Sequence, residues 1–215
     1  MKRILVLVIA LGLALVPFAS ANAESTTKEI AETRNQVEEL QKDLGFELVD
    51  VSSEEFSSVS KKDFLKFDSV QDFEEFIKDA QQPQEFEETI NVSEDTPLIK
   101  PQVSDSHVIN WWAPFTGWGM TGMACWKNIA FNYQYKFVNK KPQFTKVSGI
   151  NSYVTGLNVA WWKQTGKSYN ITKKKTTNDT AKIKVVGAMV LGIDIKGFTI
   201  GAKIGQTWNG SLTLY

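Results

Sequence analysis

The chain has 215 residues, 24 basic and 24 acidic side chains, one histidine and one cysteine. A lone cysteine excludes an intramolecular disulfide. No run has the spacing of a zinc site, an EF-hand loop or a phosphate-binding glycine loop, so no metal or cofactor is expected.

The zero net charge hides two poles. Residues 24–100 hold 21 Asp and Glu against 8 Lys and Arg, a balance of −13. Residues 101–215 hold 14 lysines, no arginine and 3 acids, a balance of +11. Such asymmetry points to an anionic partner for the basic part, or to contact between the acidic segment and the basic domain of the same chain.

In chain order, residues 1–23 read as a secretory signal peptide. Lys2 and Arg3 precede an uncharged apolar run, and Ala21 and Ala23 supply the small-residue pattern of a cleavage site. The apolar run is short for a membrane span of about 20 residues. The expected product is therefore secreted and extracellular, in bacterial style, beginning near Glu24. In that setting the sequons at Asn91, Asn170, Asn178 and Asn209 are not expected to matter, as they would in a eukaryotic secretory pathway.

Residues 24–81 read as an acidic helical segment. Ile30, Val37, Leu40 and Leu44 form an apolar stripe that Gly45 ends, with Thr26 or Thr27 as N-cap. A short strand is expected over 46–51. In the next helix Ser69 is the cap, with Asp72 three residues on. Val70, Phe73, Phe76, Ile77 and Ala80 line its apolar face, and Phe67 packs back onto it. Residues 82–106, with Pro83, Pro97 and Pro101, read as a linker or extended strap. Its acidic part, 85–95, is expected to be ordered only against a positive surface.

Residues 107–215 read as a basic β-sandwich domain. Ile129, Phe131, Tyr133, Tyr135 and Phe137 alternate with more polar residues, and Asn139 to Pro142 form a turn. Further strands are expected over 143–147, 157–162, 168–172, 181–186, 189–196, 198–204 and 211–214. The fold class is mainly β with an α-helical N-terminal segment: an antiparallel β-sandwich of about seven or eight strands. Gly187, Gly192, Gly197, Gly201, Gly205 and Gly210 read as bulges or bends. Although the chain finishes on Tyr215, as outer-membrane barrels often finish on an aromatic residue, Asn209, Ser211 and Thr213 lack the apolar lipid-facing phase of such a strand.

Catalytic candidates are few. His107 and Cys125, with Asp105, have the residue types of a nucleophilic site, and no paired carboxylates stand out beyond residue 100. Cys125 is expected to be a buried thiol in a small apolar setting. The candidate surface-binding residues are Trp111, Trp112, Trp161, Trp162, Lys173, Lys174 and Lys175. Adjacent tryptophans in a strand face opposite sides, so one of each pair is available for a sugar or a lipid interface unless something covers it. Lysine without arginine favours a diffuse positive surface over bidentate recognition. The expectation is an exported non-enzymatic protein. Its basic, Trp-rich domain binds an anionic cell-envelope polymer, anionic lipid or glycan, and the acidic segment acts as an intramolecular cover. Export argues against a nucleic-acid partner. Alternatives are a membrane-active toxin or bacteriocin-like protein, drawn from the apolar run 185–193, a carbohydrate-binding module and a hydrolase.

Overall fold

A computed structural model describes residues 18–56, 61, 64–92, 103–112, 125–156, 160–173 and 178–215. Helix α1 (Phe18–Leu44) runs straight through Thr26 and Thr27, so neither is its N-cap. Gly45 ends it with φ of +69° and a backbone bond to Gln41, the left-handed stop that glycine accepts without a Cβ clash. Strand β1 (Glu47–Val49) follows, then a short 3-10 turn at Glu54–Phe56, strand β2 (Leu65–Phe67) and helix α2 (Val70–Ala80). Ser69 caps α2, its Oγ accepting the Asp72 amide at 3.1 Å, and Phe73, Phe76 and Ile77 are buried. The Phe67 ring meets Phe73 at 5.3 Å and Phe76 at 5.4 Å, as its place just upstream predicts.

Strand β3 (Gln84–Ile90) lies within the stretch read as linker or strap, and β4 (Val103–Trp112) begins four residues before the expected domain boundary at 107. The remaining strands are long: β5 (Cys125–Val138), β6 (Lys141–Gly156), β7 (Ala160–Thr172), β8 (Thr180–Ile195) and β9 (Phe198–Leu214). Two expected strands merge in each of the last three. In β7 the join is a bulge between Gln164 and Gly166. Strand β6 runs well past the expected 143–147, and residues 157–159 lie outside the described residues. Two-residue turns close the hairpins, with positive φ at Asn139 and Lys140 and at Lys196 and Gly197.

The chain is mainly β, an antiparallel β-sandwich-like fold of about nine strands with two helices. The larger sheet runs β1-β9-β8-β2, with β3 also on β9 and β7 also on β8; the smaller runs β4-β5-β6. β2 and β3 pair parallel to their partners, the other strands antiparallel. The acidic segment is thus joined to the basic strands by backbone ladders and a common core. Val37, Phe46, Leu65, Phe67, Phe73 and Ile77 share one buried cluster with Ile193, Ile195 and Phe198, and with Ile129, Phe131 and Phe144 of the smaller sheet.

Strand β8 explains the apolar run 185–193. Its first half alternates, with Ala181, Ile183 and Val185 buried and Lys182, Lys184 and Val186 exposed; residues 187–193 are buried throughout. Met189, Leu191 and Ile193 belong to the main core, whereas Val190 packs with Phe56, Phe64 and Trp161. Alternation along a strand puts those two clusters on opposite faces, so the run is apolar because it is covered on both sides. The Phe64 ring occupies the place a Cβ at Gly192 would need, and Phe56 does the same at Gly201. These glycines admit rings against an unbroken strand; they do not end it.

Candidate functional site

The sequence-predicted residues divide between the two ends of the sandwich. Trp111 and Trp112 close β4 opposite Lys127 and Trp126. Trp161 and Trp162 open β7 at the same end, both half-buried. Trp161 meets Phe56 edge-on at 4.9 Å. Trp162 stacks on the fully buried Trp208, centroids 3.8 Å apart, and its Nε1 donates to Ser152 Oγ at 2.7 Å. Lys173 is exposed just beyond the other end of β7, about 36 Å from Trp162 at strand rise. Lys174 and Lys175 lie outside the described residues, as does the Cys125 side chain. Trp161 and Trp162 therefore form no joint surface with Lys173.

The catalytic pairing considered from sequence is not assembled. His107 stands opposite Phe131, and Cys125 lies six positions earlier in that same strand, about 20 Å away. His107 instead pairs with Glu88 of β3 at 2.6 Å, tying the edges of the two sheets together. Asp105 accepts from the buried Tyr133 hydroxyl at 3.3 Å. Burial, and next the charge of Asp105, raise the Tyr133 pKa well above the ordinary phenol value.

A polar cluster lies inside the sandwich. Lys127 is 3 % exposed; its Nζ donates to Gln84 Oε1 at 2.8 Å and Gln206 Oε1 at 3.3 Å and sits 5.3 Å from the Trp208 ring. Lys127 occupies the core-facing phase of β5, with Ile129, Phe131 and Tyr133. That lysine within an apolar alternation was the available signal. The cluster anchors β3, since Gln84 is its first residue.

Anchoring β3 builds a polar surface on the outer face of the larger sheet. Gln84, Phe86, Glu88 and Ile90 turn toward the interior, so Glu85, Glu87 and Thr89 face outward. The register continues each row across four strands. Glu85 lies beside Asn209, then Lys184, then Ser168; Glu87 beside Ser211, Lys182 and Asn170; Thr89 beside Thr213, Thr180 and Thr172. Every one of these twelve side chains is hydrophilic. Thr180 and Thr213 share a hydrogen bond at 2.9 Å. The first two rows line a groove of ≈ 310 Å³; Tyr169, between Ser168 and Asn170, is in phase with the buried Ile183 and so turns to the other face of its strand. Sequence reading missed this groove because each strand contributes only two or three small polar residues. The alternation of Lys182 and Lys184 with Ile183 and Val185, and that at 209, 211 and 213, were its local traces.

Among the described residues no group of three His, Cys, Asp or Glu could hold a metal ion, and no helix is long and apolar enough to cross a membrane. No protein-family model, curated protein or solved structure matches the chain.

Proposed function

We propose that the chain is an exported, non-enzymatic protein that binds a glycan-bearing surface through the groove between β3 and β7. One observation carries the reading: the register sets twelve hydrogen-bonding side chains in rows on one sheet face, with no purely apolar residue among them. Pockets for drug-like molecules are mostly apolar. A face of carboxylates, amides, hydroxyls and ammonium groups suits a polyhydroxylated ligand instead. In this reading the acidic N-terminal part supplies a wall of the site, Glu85 and Glu87, in place of a detachable cover. Trp161 and Trp162 support the fold, and the binding does not depend on them.

A glycan array and sedimentation with insoluble cell-wall polysaccharide test the reading on the full chain and on Asn170→Ala/Asn209→Ala/Ser211→Ala. Each lost hydrogen bond is worth about 0.5–1.5 kcal/mol, so the triple variant should bind at least about tenfold more weakly. Silence of the full chain in both assays, or undiminished binding by the triple variant, refutes it.

A further inference from the structure

We infer that the groove's ligand is zwitterionic: a polysaccharide whose repeat carries both an anionic group and a primary amine. The inference rests on the glycan reading above and adds the charge of the ligand to it.

Lys182 and Lys184 are exposed neighbours on one face of β8, about 7 Å apart along the strand, and Glu85 and Glu87 are the equivalent pair on β3. Strand β9 runs between them, so the two strips stand about 10 Å apart across the sheet. That separation exceeds ion-pair contact, and among the described residues none of the four forms a salt bridge. Asn209 and Ser211, which lie between the strips, carry no charge to bridge them. Across water the attraction at that distance is only about 0.4 kcal/mol per pair, so each strip retains its capacity for a ligand charge.

The two strips select against singly charged ligands. A polyanion satisfies the lysines and meets the glutamates with like charge; a polycation does the reverse. A neutral glycan offers both strips only hydroxyl partners in exchange for their water, weaker than groups of opposite charge, which places it below a ligand carrying both signs. Only a ligand with both signs of charge, spaced across the groove, complements all four groups. Lysine's compact ammonium accepts a carboxylate or a phosphate equally, so the amine on the facing side is the discriminating feature.

The test uses calorimetry on the full chain with four soluble oligomers of similar length. Carboxymethyl chitosan carries both charges, carboxymethyl chitin the anion alone, chitosan the amine alone, and cellohexaose neither. The zwitterion should bind about tenfold or more tighter than each control. That preference should fade between about 50 mM and 500 mM salt. Lys182→Gln/Lys184→Gln should reduce carboxymethyl chitosan to the affinity of chitosan, and Glu85→Gln/Glu87→Gln should reduce it to that of carboxymethyl chitin. All four side chains are exposed, so both variants should keep the melting temperature of the parent chain. Equal affinity for all four oligomers overturns the zwitterion inference and leaves glycan binding standing. Failure to bind carboxymethyl chitosan overturns it too, and the array then decides the broader reading separately.

Discussion

Replacing Phe64 with alanine tests how the N-terminal segment is held on the sheet. The ring is 4 % exposed, lies 5.9 Å from Phe56 and covers Gly192 of β8. Truncating a buried phenylalanine costs about 3–5 kcal/mol, a large share of the roughly 5–15 kcal/mol that holds a domain together. At about 2–4 °C per kcal/mol for a chain of this size, the melting temperature should fall by roughly 10 °C. Gly192→Ala alone should also destabilise, by about 1–3 kcal/mol, because its methyl enters space the ring occupies. With both changes the methyl enters the vacated volume, so the double variant should be more stable than the sum of the singles by about 1–2 kcal/mol. Urea denaturation followed by circular dichroism measures all four corners of the cycle. Additivity within about 0.5 kcal/mol would refute the contact, and with it the account of why β8 carries glycine there.

The same logic ranks charge below packing at this junction. Lys196–Glu29 at 3.6 Å and Lys203–Glu47 at 2.6 Å bridge α1 and β1 to the basic strands, and both glutamates are more than half exposed. Glu29→Gln/Glu47→Gln should therefore cost no more than about 1–2 kcal/mol in total, and limited proteolysis at high salt should leave residues 26–56 and 64–92 protected; their rapid release would mean that Coulomb attraction holds the segment. Tyr133 sets an alkaline limit. Its folded pKa is raised by burial and by Asp105, so its contribution is complete below the unfolded value of about 10 and is lost as pH rises above it. Tyr133→Phe should flatten the fall of the urea midpoint above about pH 10, and an unchanged slope in that variant would place the effect elsewhere.

Elements whose signals are local were legible in the sequence. Ser69 and the apolar phase of Phe73, Phe76 and Ile77 define α2, and the alternation at 129–137 defines the middle of β5. Strands β8 and β9 were read in pieces because their glycines weaken local strand propensity. At two of those breaks the neighbours are remote: Gly187 lies against Trp162, and Gly210 against Ile109 and Ile129 of the facing sheet. The role of β3 was illegible for a related reason: alternating glutamates look like a solvated stretch until Lys127 and β9 are placed beside them. For the candidate site, tandem tryptophans draw attention by rarity, yet Trp161 and Trp162 are held by Phe56 and Trp208. The groove is assembled from residues ordinary in their own strands, and only the register brings them together.

The position of β9 has a kinetic consequence. It takes β8 along one edge, and β1 and then β3 along the other, so three strands depend on a segment synthesised after all of them. Its contact with Glu47 closes a loop of 156 residues. Closing so long a loop costs only about 0.6 kcal/mol more per doubling of length, but pairings this remote form slowly. The hairpins β5–β6 and β8–β9 can form from neighbouring residues, whereas β1 and β3 wait without a sheet edge until β9 exists. The acidic strands β1 and β3 are thus made well before the strand that orders them, and the surplus of negative charge around them keeps that part soluble through the interval.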